Sequence, residues 1–153
     1  MQSNHPEAIG AIFVLIAALL IINLAVRLNR ARSARARSDA YRNCRTEADF
    51  ARRWHELNGG TLNKHVGGGR MCDWVGTLPA GSHKGQTAAC EMGFGDKLFE
   101  DYGQAEYYGQ KLNLLPCVIQ IVITDRHEKG YQDLTWLIST RSKDNPMAII
   151  RIP

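Results

Sequence analysis

Neither lysine nor arginine occurs before Arg27. That absence argues against a cleavable signal peptide, which opens on a cationic stretch ahead of a shorter apolar run. No charge occurs between Ala8 and Val26 (AIGAIFVLIAALLIINLAV), where Asn23 is the one clearly polar side chain. A core helix of a globular protein seldom runs so far without a polar face. As a helix, the stretch would span about 28 Å, matching a hydrocarbon core of roughly 30 Å. It reads as a single-pass membrane segment.

Helix breakers are equally scarce. Proline is missing between Pro6 and Pro79, and Gly10 is the only glycine between Glu7 and Leu57. Asn4 or His5 suits a helix cap, Pro6 the first helical position, and Glu7 the positive end of the dipole. The next stop is Asn58-Gly59-Gly60. These limits predict one helix of about fifty residues and about 75 Å, less than half of it within a bilayer. Beyond the span come Arg27, Arg30, Arg32, Arg35, Arg37, Arg42 and Arg45, separated mostly by Ala and Ser. Next, Tyr41, Cys44, Ala48, Ala51 and Trp54 recur at spacings of three and four, with Phe50 and Leu57 beside them. Such a stripe packs against a partner surface, and Asn23 is a candidate contact to a neighbouring helix.

Basic charge is lacking outside this region. Residues 27–53 hold nine arginines against Asp39, Glu47 and Asp49, an excess of six positive charges in a chain whose net charge is +4. The remainder is slightly acidic, so the cations belong beside anionic lipid, with Arg27, Arg30, Arg32, Arg35 and Arg37 as headgroup contacts. A nucleic-acid partner is not expected, because such a reader carries its charge on the recognising surface. The positive-inside rule puts the C-terminal part in the cytoplasm.

No two cysteines are closely spaced. Cys44, Cys72, Cys90 and Cys117 lie 28, 18 and 27 positions apart, which argues against a structural zinc site. Two disulfides in an oxidising compartment, with Cys72–Cys90 as the local loop, and four buried thiols in a reducing one both fit. The first would place the head outside, against the arginine count.

Reactive motifs are lacking too. Gly67-Gly68-Gly69-Arg70 has no Lys-Ser/Thr ending for a phosphate loop. Ser82-His83-Lys84 sits in a Gly-rich turn, and Asp125-Arg126-His127-Glu128 is expected at a solvated hairpin tip, away from any cleft that would tune acid–base groups. No catalytic, cofactor-binding or metal-ligating set is assigned.

What remains is a Gly-rich stretch holding twelve of the fourteen glycines between Gly59 and Gly109, then three β-branched runs, Cys117–Thr124, Leu134–Thr140 and Met147–Ile152. Short strands around Met71–Val75 and a helix around Asp96–Tyr108 are expected in the former. The latter predict an antiparallel meander. The expected fold is α+β: a tail (1–7), a transmembrane helix (8–26), a basic collar and amphipathic stem (27–58), a Gly-rich loop region (59–116) and a three-stranded antiparallel β-meander (117–153).

This architecture resembles that of type IV pilins, pseudopilins and the minor pilins of tight-adherence systems. Gly10 followed by Ala11–Leu15 is similar to the glycine and apolar run of a prepilin, although Leu15 stands where those families carry glutamate. The resemblance implies a subunit of an envelope filament; the unbroken helix and the lack of a reactive cluster lead to the expectation of a non-catalytic, single-pass membrane-anchored subunit of a cell-envelope assembly, associating with itself or with other envelope proteins. The alternative is a membrane-tethered cytoplasmic domain with a ligand-binding or enzymatic region at 59–109.

Overall fold

The computed structural model describes the backbone from Pro6 to Pro153, and side chains from Val14 onward except Ser33, Ala34 and Arg37. The expected caps Asn4 and His5, the side chains at the start of the apolar run, and the Arg37 headgroup contact lie outside the described residues. The chain divides into two units, residues 1–39 and 40–153.

The first unit is helix α1, Pro6–Ala40. Within it Val14–Arg32 is long and apolar enough to cross a membrane, a property that anchors share with signal sequences. Its leucines, isoleucines and valines from Val14 to Leu28 are all exposed. Asn23, Arg27, Arg30, Arg32 and Arg35 are exposed as well.

The expected fifty-residue helix is interrupted. Tyr41–Thr46 form a turn, and α2 (Glu47–Asn58) starts anew. The cause is a capping box: Thr46 Oγ1 accepts the Asp49 N–H at 3.2 Å, while Asp49 Oδ2 accepts the Thr46 N–H at 3.0 Å. Thr46 takes an extended backbone, which a continuous helix could not include. At the other end α2 stops where expected, at Gly59 with φ +70°. Of the predicted stripe, Tyr41 and Trp54 are buried with Phe50, Cys44 and Ala51 pack at the edge of that cluster, and Ala48 stays exposed. Trp54 meets Trp74 edge-on at 5.7 Å, and Tyr41 stacks on Phe50 at 5.6 Å.

The three-stranded meander expected over 117–153 is replaced by a five-stranded sheet of order β1-β2-β3-β4-β5. Its strands are β1 (Thr61–Gly67), β2 (Arg70–Thr77), β3 (Thr87–Phe94), β4 (Leu115–Ile121) and β5 (Ala148–Ile152). β1, β2 and β3 pair antiparallel, whereas β3, β4 and β5 pair parallel. Parallel neighbours need crossovers, supplied by α3 (Leu98–Leu112) and α4 (Asp125–Ser139).

The run Leu134–Thr140, expected as a strand, lies in α4 and its cap. Its leucines and isoleucine fall at helical spacing: Leu134 is buried, and Leu137 and Ile138 pack beside it. Thr124 caps the helix by accepting the His127 N–H at 3.2 Å, so Asp125–Glu128 form a first helical turn and not a hairpin tip. The stretch read as Gly-rich loop holds β1, β2, β3 and α3, including the expected strand and helix. Gly67, Gly68 and Gly69 all have positive φ and make the β1–β2 turn, a conformation that costs a β-carbon dearly.

The sheet is covered on both faces. Cys117, Ile119 and Ile121 of β4 join the cluster of Phe50, Trp54 and Trp74, whereas Val118 joins Ala105 of α3 and Leu134 of α4. All four cysteines are free thiols. No disulfide joins Cys72 to Cys90: the Cys72 thiol donates to the Cys90 carbonyl at 3.3 Å, and burial pushes its pKa up to about 12.

Candidate functional site: an acidic cavity where two strands part

The β2–β3 ladder runs from Thr77↔Thr87 to Trp74↔Cys90 and stops. One residue on, Asp73 Oδ2 accepts the Met92 N–H at 2.9 Å, so a side chain takes the donor that a continued ladder would use. The strands part there. A cavity of about 340 Å³ opens, walled by Asp73 and Glu91 from the two strands, Leu62 and Asn63 from β1, and Glu47 and Arg52 from α2. Asn63 sits at φ +48°, an unusual conformation in mid-strand, which asparagine tolerates better than most residues.

The floor of this cavity is short of positive charge. Glu91 is 9% exposed, and its Oε2 is buried without a hydrogen-bond partner. Burial, reinforced by Asp73, Asp101 and Glu47, pushes its pKa up to about 9. Burial also raises Asp73, against the pull of the Met92 N–H. Behind Glu91 and outside the cavity lining, Asp101 of α3, 3% exposed, is raised to about 7, again chiefly by burial. No ion pair found among the described residues includes any of these three. Glu47, in the cavity wall, accepts from Lys97 Nζ at 2.9 Å.

Lys97 also borders a second, more open depression of about 410 Å³ between the start of α3 and one face of α4. Arg126 and Lys129 line it with Asp96, Glu100 and Asp133, and Phe99 stands at its edge, 78% exposed. The Lys97–Glu47 ion pair thus links the two hollows, Lys97 lining this one and Glu47 the acidic cavity.

Among the described residues, no three His, Cys, Asp or Glu side chains converge closely enough to hold a metal ion by themselves. Two carboxylates suffice for a hard cation such as Mg²⁺, which keeps several waters and completes its shell with substrate phosphate. The donor set here is of that kind: Asp73 and Glu91, all oxygen, with one Glu91 oxygen unclaimed.

Of the residues singled out in the sequence, Ala48 and Ala51 line the acidic cavity and Arg126 the second depression, whereas the reactive candidates weighed there lie outside the acidic cavity. Ser82-His83-Lys84 sits in the β2–β3 turn at the far end of the intact ladder, and Gly67–Gly69 in the β1–β2 turn. Glu47, Asp73, Glu91 and Lys97 were not picked out. A usable clue existed, since Asp73 and Glu91 each interrupt an otherwise apolar strand (MCDWV, AACEMGF), and acids are seldom buried without a reason. No family model, curated protein or solved structure matches the chain.

Proposed function

We propose that this chain is a membrane-tethered, divalent-cation-dependent phosphodiesterase, with α1 as the anchor and the acidic cavity as the reaction site. The reading develops the enzymatic alternative drawn from the sequence. The observation that carries it is the unpartnered, buried Glu91 oxygen beside Asp73 at the point where β2 and β3 part. A buried carboxylate without a counter-charge is costly, and a cation bound there would repay that cost.

Asp73 and Glu91 would hold the cation. A cation held there would supply a polarised phosphoryl oxygen and a bound water of lowered pKa, whose oxygen would form the new P–O bond as the bond to one ester oxygen breaks and that oxygen leaves protonated. Lys97 would meet the charge that grows on the phosphate, and Glu47 of the cavity wall holds its ammonium. The adjoining depression favours a polymer over a small ester: Phe99 offers a ring on which a base can stack, while Arg126 and Lys129 suit flanking phosphates. A nucleic-acid strand is therefore the expected substrate, against the expectation from charge that nucleic acid is not a partner.

The test uses the full chain in nanodiscs, stripped of metal and then given Mg²⁺ or Mn²⁺. The substrates are bis(4-nitrophenyl) phosphate, single- and double-stranded DNA, and RNA. Cation-dependent hydrolysis that disappears in Asp73→Asn is the expected result. Absence of both hydrolysis and cation binding would return the non-catalytic envelope subunit as the better reading.

Anchoring has its own test. Replacing the exposed Leu15, Leu19, Leu20 and Ile22 with serine and asparagine should move most of the protein from the membrane to the soluble fraction. Retention of that variant in carbonate-washed membranes would contradict the anchor.

A further inference from the structure

Strand residue 93 is two positions past Glu91, where the period of two points a side chain to the same face of the sheet. The residue is glycine, and the space is filled from elsewhere. A β-carbon built on Gly93 would lie 2.5 Å from Asp101 Cγ and Oδ1, with Oδ2 closer still. The carboxyl group of Asp101, reaching over from α3, thus occupies the position of the missing side chain.

Gln120 holds it there. This residue is the register partner of Gly93 on β4, and its Nε2 donates to Asp101 Oδ2 at 2.7 Å. Gln120 is itself fully buried, and its Oε1 has no hydrogen-bond partner.

Packing alone does not account for this arrangement. Glycine inside a strand weakens it. A buried carboxyl group satisfied by one amide costs more than an apolar side chain of similar size. Taken together, the two departures set a carboxyl group on the Glu91 face, about 7 Å further along β3. Among the described residues no three acidic side chains converge closely enough to ligate one ion together, so a carboxyl group there suits accepting from a metal-bound water.

We propose that Asp101 is an outer carboxylate of the cation site, delivered from α3 into the space left by Gly93 and gripping the hydration shell of the ion held by Asp73 and Glu91. This inference rests on the reading of the cavity as a cation site.

Calorimetric titration of the metal-free full chain in detergent with Mn²⁺, without substrate, tests it. Asp101→Asn keeps the size of the side chain and can still bond Gln120. It should bind Mn²⁺ about tenfold more weakly than the wild type while melting at no lower temperature. The exchange variant Gly93→Asp/Asp101→Ala returns a carboxyl group to the same space from the strand, and should recover affinity to within about threefold of the wild type, as an outer-shell partner would.

A purely structural Asp101 would leave the Mn²⁺ affinity of Asp101→Asn unchanged and make the exchange variant worse than Asp101→Ala. Either result, with the wild type binding Mn²⁺ normally, overturns the role of Asp101 and leaves the cavity reading standing. Failure of the wild type to bind Mn²⁺ removes both.

Discussion

Glu91→Gln should make the metal-free protein more stable and inactive at once. The buried carboxyl group of Glu91 has its pKa pushed up to about 9, from an ordinary value of 4.5, by burial first and by Asp73, Asp101 and Glu47 after it. A group whose folded pKa is raised holds its proton longer in the native state than in the unfolded chain. Its full contribution to stability is present below the unfolded value and is lost as pH rises through the folded one.

Asp101, raised to about 7, acts in the same direction. The metal-free wild type should therefore lose stability between about pH 4.5 and pH 9 on account of these two groups. Glutamine keeps the shape and hydrogen-bonding ability of the neutral acid at every pH. At pH 9 the variant should be more stable by about 2 kcal/mol, a rise in melting temperature of several degrees. The same change removes a cation ligand, so hydrolysis should fall by at least a hundredfold. Thermal melts across pH, run beside activity assays, check both halves. A variant both less stable and inactive would point to Glu91 as a structural residue.

Lys97→Ala should separate chemistry from binding. The ammonium lies against Glu47 of the cavity wall and its side chain is 48% exposed, so the ion pair itself contributes little to stability. What its loss should remove is stabilisation of charge on the phosphate in the transition state, about a hundredfold in kcat. Mn²⁺ affinity should stay within about threefold of the wild type, because Asp73 and Glu91 remain. Single-turnover hydrolysis at saturating Mn²⁺, paired with calorimetry, reads the two quantities separately. An unchanged rate would take Lys97 out of the reaction and leave the depression beyond it without a link to the site.

Parts of this molecule were legible in its residues and parts were not, for reasons that differ by element. Helix α1 was plain because nineteen uncharged positions leave few alternatives. The interruption at Tyr41–Thr46 was written in Thr46-Glu-Ala-Asp49, a capping-box pattern, but it lay inside a run of good helix formers. The C-terminal half was misread by composition. Leu134–Ile138 is rich in strand formers, yet its burial follows a helical spacing, and Thr135 is accommodated because its hydroxyl donates to the Tyr131 carbonyl at 2.7 Å.

Strand β4 carried the better clue. Cys117–Ile121 is buried on both faces, and a run apolar at every position but Gln120 fits a parallel strand between helices better than an antiparallel meander with one wet face. The acidic cavity was hardest to foresee, because Glu47, Asp73, Glu91 and Lys97 span fifty residues, meeting only once β2 and β3 part and α2 lies over them.

Nothing in the sequence ties Gly93 to Asp101. A glycine in a strand and an aspartate in a helix mean little apart. Only the overlap of the carboxyl group with the absent β-carbon shows that one replaces the other.

Anomalous scattering from crystals soaked in Mn²⁺ tests the cation site most directly. The account predicts one strong peak in the cavity, at direct ligand distance from both Asp73 and Glu91, which vanishes in Glu91→Gln. Well-ordered crystals with that cavity empty at millimolar Mn²⁺, or with manganese bound only at the protein surface, would contradict it.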